Sequence, residues 1–198
     1  MNIFTATIKR ITLLISLFIL TYSYTNAQQW VLYGMSFIGG ANEGGTLLNY
    51  NTATNQFSKL VDFADTTGQY PQSGVAEDSI NGLLYGVTQE GGAYNLVTIF
   101  SYNTTNGQFI PLYSFNGQTG TQASLNSMTY YKGLFYRMTY FGGDYSQGNL
   151  FSFDPATGDV TTLISFEDTT GGPAYPGSVQ LTAYKGILYG LTDDGGIN

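Results

Sequence analysis

The sequence contains no cysteine and no histidine. Without cysteine it can form no disulfide, no thiolate zinc site and no lipid anchor of the kind that is attached through a cysteine. Without histidine it has neither a serine–histidine triad nor an imidazole metal site. Charged residues make up only 10% of the chain, and the formal net charge is −7. That charge argues against nucleic acid and anionic membrane surfaces as partners.

Long apolar runs are also scarce, with one clear run at residues 11–20. Lys9 and Arg10 precede it, and the small or short residues 25–27 follow it. This order predicts a helical, cleaved signal peptide over residues 1–27. The alternative is a membrane anchor, but the run has only half of the ~20 residues that span a bilayer. We therefore expect export to the extracellular space or the outer cell surface, with no membrane span after cleavage.

Aromatic residues are abundant at 16% of the chain, and there are 26 glycines. In short alternating runs, this composition indicates β-structure with many turns. One ten-residue pattern occurs four times, with a tyrosine at its third position and a glycine pair at its end. The copies are VLYGMSFIGG (31–40), LLYGVTQEGG (83–92), LFYRMTYFGG (134–143) and ILYGLTDDGG (187–196), and Tyr33, Tyr85, Tyr136 and Tyr189 are 52, 51 and 53 residues apart.

Each repeat is expected to contain four short strands. In the third copy these strands are predicted at residues 123–130, 133–140, 148–154 and 159–166. The turn between the last two begins at Asp154 and ends at Gly158, which is Asx-turn chemistry followed by a residue that tolerates positive φ. The equivalent turns begin at Asn51 and Asn103. We therefore interpret these side chains as turn residues rather than metal ligands.

Four-stranded units of ~50 residues are typical of a β-propeller, in which each unit is one blade. We predict an all-β, propeller-like array over residues 28–198, with units at 30–66, 72–116, 121–167 and a partial unit at 175–198. A closed propeller needs at least four blades, so we expect the remaining blades to come from further C-terminal sequence or from another copy. The predicted structural positions are the blade-packing residues Tyr33, Tyr85, Tyr136, Tyr189, Phe63, Phe115 and Phe166 and the strand-ending glycines Gly91, Gly92, Gly142 and Gly143.

The segments NGLLYGVTQEGG, IFSYNTTNGQF and KGILYGLTDDGG resemble the GloVer-type tandem repeats of choice-of-anchor bacterial surface proteins. The resemblance covers nearly all of residues 30–198. It implies a secreted repeat protein and carries no catalytic residues to this chain. One departure stands out, because Arg137 occupies the position that Gly34, Gly86 and Gly190 hold in the other copies.

Few residues suggest chemistry. The glycine pairs lack the lysine and the following helix of a phosphate loop. The adjacent carboxylates at 77–78, 167–168 and 193–194 cannot be glycosidase dyads themselves, because neighbours on a strand point to opposite faces. A dyad assembled between blades remains the alternative, which would make the protein a polysaccharide-active hydrolase or lyase. We expect no cofactor, although loop oxygens of an acidic exported chain could hold a structural calcium ion.

Tyrosines outside the repeated core position could stack on sugars; they are Tyr70, Tyr94, Tyr140, Tyr145 and Tyr175. The candidate ligand contacts are those just beyond two of the glycine pairs, namely Tyr94, Asn95, Asp144 and Tyr145. We therefore predict a non-enzymatic binding or scaffold module for an extracellular protein or glycan.

Overall fold

The computed structural model describes residues 30–117, 119–123, 127–171 and 181–192, and for residues 121–123 the backbone alone. The predicted signal peptide, Tyr175, the carboxylates at 193–194 and the glycine pair at 195–196 lie outside the described residues. The described chain falls into a small unit, residues 30–32 with Tyr50–Phe57, and a large unit with all the others. In the small unit, the N–H of Thr52 donates to the carbonyl of Trp30 over 2.9 Å.

The regular structure is almost entirely antiparallel β-structure. In the part of the chain that is described, the one helix is a 3-10 turn, Gly92–Tyr94, and no helix is long and apolar enough for a membrane crossing. The strands are β1 (Val31–Ser36), β2 (Thr46–Asn51), β3 (Gln56–Asp62), β4 (Ala76–Asp78), β5 (Leu83–Thr88), β6 (Thr98–Asn103), β7 (Phe109–Ser114), β8 (Thr121–Ala123), β9 (Thr129–Tyr131), β10 (Leu134–Phe141), β11 (Asn149–Phe153), β12 (Val160–Ser165), β13 (Thr182–Tyr184) and β14 (Ile187–Tyr189).

These strands form four open sheets that follow the order of the chain. Blade 1 is β1-β2-β3, blade 2 is β4-β5-β6-β7, and blade 4 is the hairpin β13-β14. In blade 3, β12, β11 and β10 lie side by side, and β8 and β9 both pair with β10. Two complete four-stranded blades with partial blades on either side confirm the predicted all-β, propeller-like array of about three and a half units.

The turns between the third and fourth strands form because an Asx side chain replaces a backbone acceptor. In blade 2, Oδ1 of Asn103 accepts the N–H groups of Thr105 (2.8 Å) and Asn106 (3.1 Å). In blade 3, Oδ1 of Asp154 accepts the N–H of Ala156 over 2.8 Å. The side chain thus satisfies donors that lie outside the strand ladder.

Replacing Asn103 with alanine should lower the free energy of unfolding by about 1–2 kcal/mol, because two hydrogen bonds are lost at an exposed turn. The free energy of unfolding of Asn103→Asp should stay within about 0.5 kcal/mol of the parent value, because the Asp154 carboxylate accepts the equivalent hydrogen bond in blade 3. Urea denaturation measures both changes. Equal losses in the two variants would show that the turn depends on something other than this acceptor.

Aromatic side chains from neighbouring blades form the core. Tyr85 of blade 2 is 4% exposed, and its ring centroid lies 4.6 Å from that of Phe135 in blade 3. Burial raises the pKa of the Tyr85 hydroxyl, with smaller contributions from Asp78 and Tyr130. The Phe115–Phe151 centroids are 5.1 Å apart. Such pairs stabilise beyond the area they bury.

The repeated landmark positions differ in how deeply they are buried. Phe63, Phe115 and Phe166 are 0%, 0% and 5% exposed. Tyr33 and Tyr136 are half-buried against core clusters, whereas Tyr189 is 51% exposed. Tyr85 is covered by the blade that comes next in sequence, and among the described residues no blade comes after Tyr189. Burial of this tyrosine position therefore depends on the next blade.

On the inner side of blade 3, the described residues form two short strands that both pair with β10. A single strand is predicted at residues 123–130, but the structure has β8 and β9 there. Ala123 pairs with Thr139, and Thr129 pairs with Tyr136. Between these two pairings the sequence has five residues on the inner side, 124–128, and two on β10, 137 and 138, so β8 and β9 pair with β10 in different registers.

Blade 2 has a similar change of register. Gln69 bridges Glu90, and Ala76 pairs with Tyr85. Six residues on the inner side, 70–75, face four on the other, 86–89, so the chain between these pairings bulges out of the sheet. We call this segment, residues 70–75, the inner bulge. Tyr70 at its start has a φ of 58°.

Candidate functional site: the loop rim

In blades 1 to 3, the glycine pairs follow strands β1, β5 and β10 and turn the chain sharply. Gly91 and Gly92 have φ values of 92° and 67°, and Gly142 and Gly143 have 90° and 78°. Glycine adopts such values readily because it has no Cβ. Space is a second constraint at Gly91, where a Cβ would lie 2.7 Å from Cα of Gly68 in the preceding blade connection.

The loops after the glycine pairs share one construction. Each is closed at its base by a backbone hydrogen bond, from Gly45 to Gly39, from Leu96 to Gly91 and from Gly148 to Gly142, each 3.0 Å long. Each also has a residue with left-handed backbone, and these residues are Glu43, Asn95 and Ser146. The three loops are therefore fixed in shape by the backbone.

The last residue of the outer strand anchors each loop. The N–H of Ala41 donates to Oδ1 of Asp62 (2.9 Å), and the N–H of Ala93 donates to Oγ of Ser114 (3.2 Å). In blade 3, the N–H of Asp144 donates to Oγ of Ser165 (3.4 Å). The sequence prediction did not include these anchors. Each stands directly before a landmark phenylalanine, so the repeat alignment contains the signal that would have identified them.

The connections between blades reach the same end of the sheets. The N–H of Gly92 donates to the carbonyl of Asp65 over 2.7 Å. A glycine with positive φ in each connection also packs on a threonine of the next blade, and these pairs are Gly68–Thr88, Gly120–Thr139 and Gly171–Thr192. We call the glycine-pair loops 41–43, 93–95 and 144–146, together with the connections 64–67 and 167–170, the loop rim.

Two of the predicted contact residues are exposed aromatics on this rim. Tyr94 is 60% exposed and Tyr145 is 56% exposed. Both stand two residues after the glycine pair of their blade. Asn95 caps the 3-10 turn with a φ of 52°, and Asp144 is exposed beside Tyr145. In the described chain, no hydrogen bond or ring contact joins the blade 2 residues to the blade 3 residues.

In blade 1 the same position is held by Asn42, whose Nδ2 donates to the carbonyl of Phe63 over 3.3 Å. Asn42 and residues 64–66 line a shallow cleft of about 300 Å³. Asp65 in this cleft is exposed. The rim therefore offers carboxylate and amide groups beside its exposed rings.

The other tyrosines considered as sugar contacts are placed differently. The ring of Tyr70 lies 5.4 Å from that of Phe37, and the ring of Tyr140 lies 4.1 Å from that of Phe141. Both are partly buried. Their faces are therefore less available than those of Tyr94 and Tyr145.

The adjacent carboxylates at 77–78 and those at 167–168 lie at opposite ends of their blades. Asp78 accepts from the N–H of Ile80 and from Nδ2 of Asn81 in a turn at the end of the blade opposite the loop rim. Asp168 accepts from Nε2 of Gln147 on the rim itself. Hydrogen bonding to Lys59 lowers the pKa of Asp62 from its ordinary value, which is the reverse of what a general acid needs. Within the described ranges, no three acidic side chains gather as a metal site requires.

Comparison with known protein families identifies the family of this chain. Residues 21–198 match the Gloeobacter/Verrucomicrobia repeat. The chain belongs to this repeat family. The match confirms the resemblance to GloVer-type repeats, and no curated protein matches this Gloeobacter/Verrucomicrobia repeat chain.

Two solved structures are similar to part of this chain. One is provisionally described as a 6-phosphogluconolactonase from Bacteroides fragilis NCTC 9343, with 14% identity, a TM-score of 0.46, and coverage of 80% of this chain and 42% of that one. The other carries the same description, from Bacteroides uniformis ATCC 8492, with 12% identity, a TM-score of 0.45, and coverage of 84% and 55%. The repeat chain spans about half the length of these proteins, and neither likeness bears on its activity.

Proposed function

We propose that this repeat protein is a non-enzymatic binding module of the cell exterior that holds a carbohydrate chain along the loop rim. The observation that carries the proposal is the pair of exposed rings, Tyr94 and Tyr145, at the same position in consecutive blades. A polysaccharide presents sugar rings at regular intervals, so a repeated stacking position suits it. Aromatic faces give contact area at low entropic cost.

The fixed loop shape supports the same proposal. Each loop is closed by a backbone hydrogen bond and held by an anchor residue, so little ordering is needed when a ligand binds. Asn95 and Asp144 stand beside the rings and can bond to sugar hydroxyls. The predicted signal peptide over residues 1–27 supports an exported protein, because such a protein meets glycans outside the cell.

A glycan array probed with the full chain identifies the ligand, and calorimetry measures its affinity. Tyr94→Ala and Tyr145→Ala should each weaken binding about tenfold, which corresponds to about 1.4 kcal/mol. The affinity of the double variant should fall about a hundredfold. The two rings lie on different blades, so their contributions to the binding free energy should add.

Tyr184→Ala is the matched control. Tyr184 is 58% exposed but stands at the opposite end of blade 4 from the loop rim. Its loss should leave the affinity unchanged. An array without any bound glycan would favour a protein ligand instead. Turnover of a bound glycan that disappears when one rim carboxylate is changed would overturn the non-enzymatic proposal.

A further inference from the structure

The inner bulge of blade 2 borders a cleft that the loop rim does not include. This open cleft has a volume of about 530 Å³. Residues 71–74 of the bulge form one side, and Gly34, Met35 and Phe37 form the other.

The bulge side offers hydrogen-bond donors. In the described part of the chain, no hydrogen bond uses the backbone N–H groups of Gln72, Ser73 or Gly74. They have left the ladder that would otherwise have paired them. Backbone N–H groups in succession outside regular structure are a recurrent way of binding anions.

A buried cation lies directly behind the bulge. Nη1 of Arg137, in β10 of blade 3, donates to Oγ of Ser73 over 3.4 Å. Since a guanidinium only donates, the Ser73 oxygen accepts, and its own proton remains available to another acceptor. Arg137 is 4% exposed. Burial lowers its pKa to about 9, so the side chain stays charged at neutral pH.

This arginine is specific to one blade. The equivalent positions in the other three copies are Gly34, Gly86 and Gly190. In blade 2, the ring of Phe100 packs directly on Gly86 and fills the space that a side chain would need. Blade 3 instead carries a charge there. The buried positive charge is therefore a feature of blade 3, and the other copies of the repeat have glycine at this position.

The far wall of the cleft is apolar. Met35 is partly buried, and Phe37 is 45% exposed with its ring against Tyr70. We propose that the cleft binds a small carboxylate ligand, with the carboxylate on the Ser73 hydroxyl and the bulge N–H groups, and the ligand body against Phe37. Arg137 does not line the cleft. It orients the Ser73 hydroxyl through their hydrogen bond, and its buried charge attracts the carboxylate through a medium of low dielectric. This site is independent of the proposed glycan rim.

Calorimetry or ligand-observed NMR at low ionic strength tests the proposal on the full chain. The probes are glucuronate and benzoate, with methyl glucoside and benzamide as their neutral counterparts. Both acids should bind and both neutral probes should not. Binding of one acid alone identifies a sugar acid or an aromatic acid as the preferred source of the carboxylate.

Two variants locate the site. Arg137→Met should weaken acid binding at least tenfold, and Ser73→Ala about three- to tenfold, because the first removes the charge and the second only a donor. Lys132→Met, which removes a charge from an exposed turn, is the control and should bind as the parent does. The double change of Tyr94 and Tyr145 to alanine should also leave acid binding intact.

Thermal unfolding shows whether the Arg137→Met variant is folded. If that variant is unfolded, the acid affinity of Ser73→Ala tests the proposal instead. Parent-like acid affinity in Ser73→Ala, or equal binding of the acids and their neutral counterparts, would overturn the proposal. These outcomes leave the rim proposal untouched, since its variants and probes are different.

Discussion

Replacing Phe115 with alanine is expected to lower the free energy of unfolding by about 3–5 kcal/mol. The ring is fully buried, and it meets Tyr113 and Phe151 edge-on with both centroids 5.1 Å away. Truncation removes the apolar contacts and leaves a cavity between two blades.

Phe57→Ala is the control for this prediction. Phe57 is 63% exposed, so its removal should change stability by less than about 0.5 kcal/mol. Guanidinium denaturation followed by far-ultraviolet circular dichroism measures both variants. Equal and small effects would mean that the repeated phenylalanine is not a packing position.

Gly91→Ala should cost about 2–5 kcal/mol, from two separable causes. The φ of 92° is strained for any residue with a Cβ, which accounts for about 1–2 kcal/mol. The rest is steric, because the new Cβ would lie 2.7 Å from Cα of Gly68 and 2.8 Å from the carbonyl oxygen of Asp65. Both are backbone atoms of the preceding connection, so relief requires the connection or the glycine-pair loop to shift.

Gly39→Ala isolates the first cause. Gly39 holds the same repeat position with a φ of 97°, but its added Cβ would meet nothing within 4 Å. Its cost should therefore be the strain alone, about 1–2 kcal/mol. The difference between the two variants measures the close approach of the connection 65–68 to the glycine pair of blade 2. Identical costs would show that Gly91 is required only for its backbone conformation.

Much of the fold could be predicted because the repeat is regular. The spacing of Tyr33, Tyr85 and Tyr136 placed the second strands, and the glycine pairs placed their ends. Asn103 and Asp154 marked the turns between outer strands. These features depend on local backbone chemistry, which a short sequence pattern records well.

The remaining features depend on contacts between blades, which no local pattern records. Residues 123–130 read as one strand because their own pattern is continuous, and the different registers of β8 and β9 are visible only against β10. The exposure of Tyr189 depends on the neighbouring blade rather than on its own strand. The bond from Arg137 to Ser73 joins residues 64 positions apart. The sequence marked Arg137 as unusual but could not show which partner it meets.

The rim residues Tyr94 and Tyr145 could be predicted as exposed because they come directly after a turn. Their fixed orientation could not, since the anchors Ser114 and Ser165 belong to strands that return to the loops 21 residues later. The inner bulge was also missed. Its pairing partners, Gln69 with Glu90 and Ala76 with Tyr85, are visible only when the two strands are set side by side.

The aromatic pairs of the core have a consequence for how the protein loses structure. Pairs such as Tyr85–Phe135 and Phe115–Phe151 join neighbouring blades. The energetics of such an array approximate a one-dimensional chain of coupled units. Damage to one interface is therefore felt most by the two blades that share it. Hydrogen exchange should be slowest in β5, β6, β10 and β11, which pair on both edges and carry buried core side chains.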